Sequence, residues 1–178
     1  MTNKEPPIRK PNRLSNFDYS TDGAYFITIC LKDRQKMLSE IVSQKTVGDG
    51  ALDVPQQISI RTKLTSVGKI VERNLLSSNK ISGVFIDQYV IMPEHIHAIV
   101  ILKGNTNVDN GTSRAPSPTN NRLSHVVSTF KRFCNLEIGE NIFQRGYYDH
   151  IIRDREDYET RKQYIYNNPI KRYYENNN

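Results

Sequence analysis

The stretch Val84 to Leu102, VFIDQYVIMPEHIHAIVIL, leaves the chain few ways to fold. Two runs rich in Val, Ile, Phe and Tyr flank the break Met92-Pro93-Glu94. β-Branched and aromatic residues suit a pleated, half-buried surface, and a proline between two such runs marks a turn, so the stretch predicts a hairpin. At the head of its second strand stand His95 and His97, with Ile96 between them. Side chains alternate along a strand, so both imidazoles leave by one face and Ile96 by the other. Ile96 is expected to point to the core and the histidines to the solvent side. Two residues along a strand span roughly 7 Å between Cα atoms, close enough for two ring nitrogens to converge on one metal ion. Such a pair also occurs as a satisfied polar pair on a sheet surface, because imidazole is a common ligand but not only a ligand. Its place in the best-specified element of the chain favours the ligand reading.

Charge narrows the partner. Twenty-five Lys and Arg against nineteen Asp and Glu give a formal charge of +6, which favours an anionic partner, and nucleic acid is the first candidate. Ten tyrosines and six phenylalanines offer surfaces on which unstacked bases can stack. Residues 1–20 carry Pro6, Pro7 and Pro11 among Lys4, Arg9, Lys10 and Arg13, a composition that reads as a basic arm, either touching phosphates or solvated. Cys30 and Cys134 have no second cysteine at metal-ligand spacing and read as buried free thiols of a reducing compartment. No stretch approaches the ~20 apolar residues of a membrane span, and the start lacks the apolar region of a signal peptide; a cytoplasmic protein without membrane contact is expected.

Periodicity supplies the remaining elements. Ala24 to Leu31 is an apolar run long enough for a central strand, and Met37 to Val42 suits a short one. Residues 43–60, broken by Gly48, Gly50 and Pro55, read as an irregular loop or ragged hairpin. From Arg61 to Leu76 the apolar positions fall at helical spacing. Residues 103–121 have almost nothing apolar and read as a mobile loop. A second helix follows over Leu123 to Leu136, with Arg122, Lys131 and Arg132 available to phosphates and His125 as a structural or surface residue. Tyr147 to Arg153 is a short strand, and Arg145 and Arg153 beside it join the candidate DNA contacts. Asp154 and Asp157 resemble a helix N-cap and an acid in the first turn. The last helix is expected over Arg155 to Asn168, because Pro169 disfavours helical geometry just before it. The order β-α-β-β-α-β-α predicts one α+β domain over residues 21–170, with an antiparallel sheet and a tail at 171–178.

On that last helix Tyr164 and Asn168 are four apart and share a face, whereas Tyr166 points roughly 200° away from Tyr164. Three separated segments now stand in order: Tyr89 to His97, Phe143 to His150 (FQRGYYDH) and Tyr164 to Pro169 (YIYNNP). Together they resemble the His-hydrophobic-His (HUH) single-tyrosine transposases, and most closely their REP-associated branch, named for repetitive extragenic palindromes. The resemblance spans the chain from Ala24 onward. It implies a ferredoxin-like or RRM-like HUH endonuclease core and carries over Tyr164 as the nucleophile, with His95, His97 and Asn168 as ligands of a divalent metal. Ligand softness alone allows zinc or manganese at two imidazoles and an amide; the family's habit implies Mg2+ or Mn2+. His150 reads as a structural residue, with a ligand or phosphate contact as the alternative. The implied activity is cleavage and rejoining of single-stranded, hairpin-forming DNA, a REP-like palindrome, through a 5′-phosphotyrosine, with a monomer favoured. A replication or mobilisation nickase would share this chemistry but usually has larger additional domains. A nonenzymatic nucleic-acid-binding protein on the same sheet is the rival from another class.

Overall fold

A computed structural model of the chain describes residues 22–45, 58–104 and 122–177. The elements are β1 (Gly23–Cys30), β2 (Ser39–Lys45), β3 (Ile58–Leu64), α1 (Ser66–Ser77), β4 (Val84–Ile91), β5 (His95–Leu102), α2 (Arg122–Ile138), β6 (Tyr148–Ile152) and α3 (Arg155–Asn177). Four strands form one sheet in the order β4-β5-β1-β6, with every neighbouring pair antiparallel, while β2 and β3 form a separate two-stranded sheet. In both β1-α1-β4 and β5-α2-β6 the two strands are separated by a third lying between them. This split βαβ arrangement, used twice, is the expected α+β, ferredoxin-like core.

The sheet has two covered faces. Tyr25, Ile27 and Ile29 of β1 and Ile96, Ala98 and Val100 of β5 pack against Val71 and Leu75 of α1 and Leu123, Val126, Val127 and Phe130 of α2. The alternate residues Phe26, Val90 and Ile99 pack against Ile165 of α3 on the other side. The histidines belong to this second face, and here the solvent-side expectation fails, since His97 is only 5% exposed. Alternation tells which residues share a face, but not whether another layer covers it. Phe26, Val90 and Ile99 were the sign that one does.

Several element boundaries differ from expectation. The chain is extended through Leu64, so β3 takes the residues from Arg61 that helical spacing had assigned to α1. Thr65 sets the true helix start: its Oγ1 accepts from Gly68 N at 3.0 Å and itself donates to Met37 O at 2.7 Å. Residues 43–45 continue β2, so part of the expected loop is one arm of a hairpin with β3. At the other end, α3 begins as expected, with Asp157 N donating to Asp154 Oδ1 at 2.8 Å. It then runs through buried Pro169 to Asn177, so 171–177 is helix and not tail. A proline inside a helix removes one N–H and crowds the carbonyl four residues back, here Ile165. Contacts beyond it offset that cost, with Arg172 Nη2 bonded to Glu94 Oε1 at 2.9 Å and Tyr173 Oη donating to Ser43 Oγ at 3.3 Å. The basic arm at 1–20 and nearly all of the loop at 103–121 lie outside the described residues. Among those described, no helix is long and apolar enough to cross a membrane.

The turn carrying the histidines is clamped from behind. Met37 N and Leu38 N both donate to Pro93 O, at 3.1 and 3.0 Å, and Leu31 N donates to Glu94 O at 3.0 Å. Leu38 O in turn accepts Thr65 N and lies against Gly68, where an added Cβ would stand 1.9 Å away. Gly68→Ala therefore tests this stack. Alanine inside a helix normally gains about 1 kcal/mol over glycine, but the clash with a backbone oxygen reverses the sign. We expect urea denaturation to show a net loss of ~1–3 kcal/mol, the usual range for overpacking.

Candidate functional site

The site is assembled where α3 crosses the start of β5. The His95 and His97 rings lie 4.5 Å apart between centroids, edge to face. Phe26 stacks on His97 at 5.3 Å with planes 20° apart, and Tyr164 meets His97 edge-on at 5.1 Å and Phe26 at 5.8 Å. Tyr164 remains 44% exposed, so one side of its ring rests on the histidine face while the rest is open to solvent. Tyr166 is 70% exposed and, two residues on, projects away from that face. Positions four apart on a helix form a stripe, which here holds Tyr164, Asn168 and Arg172. Tyr164 touches His97, and Arg172 bonds Glu94, the residue before His95. Half-buried Asn168 sits between these two anchor points.

Both imidazoles are neutral at ordinary pH, and burial is the main reason. It pulls the His97 pKa down to about 3, with His95 as a second cause. The His95 pKa is also lowered by burial, against an opposing pull from Glu94 and with help from Arg172 and Arg34. A neutral imidazole keeps a lone pair for a ligand. His97 Nδ1 is hydrogen-bonded to Thr28 Oγ1 at 2.8 Å, and His95 Nδ1 is 3.8 Å from Glu94 Oε1. Glu94 Oε2 is buried with no hydrogen-bond partner among the described residues. No cluster of three or more His, Cys, Asp and Glu side chains there is placed to hold a metal ion. A metal at the histidine pair would need a third ligand of another kind, and the amide of Asn168 is of that kind.

The basic residues singled out in the sequence fall elsewhere. Arg122, Lys131 and Arg132 are on α2, behind the opposite face of the sheet. Arg122 is occupied with Lys103 O and Ser82 O, both at 2.7 Å, and Lys131 donates to Gln144 O at 2.8 Å and to Gly146 O. Burial lowers the Lys131 pKa to about 8. Arg132 lies over the Phe133 ring at 5.8 Å. Arg145 and Arg153 are exposed at the two ends of β6. His125 is exposed on α2, and His150, opposite Phe26 in the β1–β6 register and so on the same sheet face as the pair, is held by Asp157 Oδ2 at 2.7 Å. Three cations that sequence reasoning missed surround the site instead. Arg34 and Arg172 are close enough to His95 to depress its pKa, and Arg161 lies 5.7 Å from the Phe26 ring. Arg172 was legible as two turns beyond Tyr164, had the helix not been ended at Pro169; Arg34 has no such signal.

The His97 shift has a sign that can be measured. With a folded-state pKa near 3 and an ordinary value of 6.5, the unfolded chain takes up a proton that the folded chain refuses. Stability is therefore lost as pH falls from about 6.5 towards 3. We expect the unfolding free energy of the protein to drop more steeply between pH 7 and 5 than that of His97→Gln; parallel curves would show that His97 is not held neutral.

No family model matches the chain. An uncharacterized protein of Haemophilus influenzae is 31% identical over 176 residues, covering 91% of this chain and 88% of its own. A REP-associated tyrosine transposase of Escherichia coli is 23% identical over 153 residues, covering 86% of this chain and 70% of its own. Among solved structures, a REP-associated tyrosine transposase bound to a REP hairpin shares the fold, with a TM-score of 0.50, 22% identity, and coverage of 85% of this chain and 68% of that one. The chain is thus similar along most of its length to the Haemophilus influenzae and Escherichia coli proteins, and its fold is that of a REP-associated tyrosine transposase.

Proposed function

We propose that the protein cleaves and rejoins single-stranded, hairpin-forming DNA through a 5′-phosphotyrosine on Tyr164. The observation that carries this reading is the contact of the Tyr164 ring with His97 of the same chain, at 5.1 Å. Nucleophile and histidine pair meet within one chain, which supports a monomer as the working unit. The structural neighbour is bound to a REP hairpin, and a palindrome of that kind is the substrate class proposed here.

His95, His97 and the Asn168 amide would hold a divalent ion, Mg2+ or Mn2+. Such an ion, when bound, withdraws charge from the scissile phosphate. The protein's own groups do the rest. A phenol with a pKa near 10 is a weak nucleophile until its proton is removed or its anion stabilised. Tyr164 Oη attacks phosphorus and loses its proton; the bond from phosphorus to the 3′ oxygen breaks, and that oxygen takes up a proton. The products are a 5′-phosphotyrosine and a 3′-hydroxyl. Attack by another 3′-hydroxyl reverses the step and joins new ends. Arg34 and Arg172 beside the histidines suit the flanking phosphates, and exposed Tyr148 and Tyr166 suit splayed bases.

Labelled hairpin DNA incubated with the protein and Mn2+ should give a denaturation-resistant adduct, whereas a fully paired duplex of the same sequence should not. Tyr164→Phe removes one oxygen and little volume at a partly exposed position, so it should bind DNA as before and form no adduct. A 5′-phosphate mapped to Tyr147, Tyr148 or Tyr166 would refute the assignment.

The histidines give the second test. His95→Ala and His97→Gln should lower cleavage by roughly 10²-fold or more while hairpin binding persists. Undiminished cleavage in EDTA would remove the metal from the scheme. Binding itself should weaken steeply with salt, as counterions are released from the DNA.

A further inference from the structure

His97 is an imidazole whose orientation the protein dictates from three sides. Phe26 stacks on it at 5.3 Å, the edge of Tyr164 meets it at 5.1 Å, and Nδ1 is 2.8 Å from Thr28 Oγ1. Thr28 arrives there by strand pairing, because it is the residue directly opposite His97 in the β1–β5 register. Its β-branched side chain has few rotamers, so the hydroxyl is presented at a defined place. A neutral imidazole has one N–H and one lone pair, and the partner of one nitrogen decides what the other can do. A hydroxyl can donate or accept. With Thr28 as donor, the lone pair is used at Nδ1 and Nε2 carries the hydrogen, which leaves no ligand. With Nδ1–H as donor, Nε2 keeps its lone pair.

We propose that Thr28 is a positioning residue: it accepts the Nδ1–H of His97 and so holds the tautomer whose Nε2 is free for a divalent ion. The inference rests on the reading of His95 and His97 as a metal-binding pair. His95 stands opposite Cys30, a weak hydrogen-bonding group, and its Nδ1 faces Glu94 Oε1 at 3.8 Å. At that distance the carboxylate faces the His95 ring without a hydrogen bond, whereas an oxygen bonded behind a ligating imidazole, as Thr28 Oγ1 is behind His97, is a usual way to orient it.

Thr28→Val keeps the shape and removes the hydroxyl, and Thr28→Ser keeps the hydroxyl. Two measurements on the full chain decide the matter. Imidazole nitrogen shifts from long-range 1H–15N NMR of the metal-free protein report the tautomer. Free Mn2+ measured by electron paramagnetic resonance reports metal affinity. The expected result is an Nδ1-protonated His97 in the wild-type protein and in Thr28→Ser, loss of that bias in Thr28→Val, and Mn2+ binding about 10–100-fold weaker in Thr28→Val with recovery in Thr28→Ser. A wild-type His97 protonated on Nε2 would overturn the inference. So would Mn2+ binding that needs His97 but not the Thr28 hydroxyl, with the metal reading left intact. Mn2+ binding that His97→Gln does not weaken would overturn the metal reading itself, and this inference with it.

Discussion

The register between β1 and β5 is the constraint on which the rest of the site depends. It places Thr28 opposite His97, Cys30 opposite His95 and Phe26 opposite Ile99, all on one face. A slip of one residue would turn that whole set to the other face and send Ile27, Ile29, Ile96 and Ala98 into the site. The large core under α1 and α2 forbids the slip, since those residues are almost wholly buried in it. The apolar face thus positions the polar one: the hydrophobic effect sets the register, and the register sets the chemistry.

The helix that closes the site is held by different means. Of α3, only Ile165 and Pro169 are buried, too little apolar surface to dock 23 residues. Polar contacts spaced along its length do the fastening. Tyr158 Oη donates to Asp87 Oδ2 at 2.5 Å, Asp157 pairs with His150 and Arg161, and Arg172 pairs with Glu94. The Asp87 contact uses an irregularity in β4, where pairing with β5 shifts between Ile86 and Gln88 and leaves Asp87 out of the ladder. Bulges of this kind re-aim a side chain. A helix docked by polar contacts around a small apolar seam rests on weaker local stability than one docked on a core, and that is the class of element that moves in working enzymes.

Charge follows the same division. Arg122 and Lys131 spend their donors on backbone carbonyls and so brace α2 and the segments beside it. The cations near the histidines come from the loop after β1 and from α3, where Arg161 is paired with Asp157 and Arg172 with Glu94. Arg34 follows Asp33, and both have a φ of 50°, a left-handed backbone that non-glycine residues seldom adopt. Net charge predicts the sign of a partner but cannot say where on the surface the charge lies, because that depends on which donors the fold has already used.

The sequence by itself determined the hairpin, the shared face of His95 and His97, the shared face of Tyr164 and Asn168, and the order β-α-β-β-α-β-α of the core elements. All of these follow from local periodicity, whether two residues per strand repeat or 3.6 per helical turn. What lay beyond it was whatever two distant segments decide together. Leu64 fits a helix or a strand by spacing, and only pairing with Ser39 makes it strand. Pro169 disfavours a helix locally, and Glu94 and Ser43, across the molecule, supply contacts that carry α3 past it. The burial of His97, its neutral charge and its bond to Thr28 arise from three layers meeting at one point. A one-dimensional pattern records which side a residue faces; what stands on that side is fixed by packing free energy summed over the whole fold.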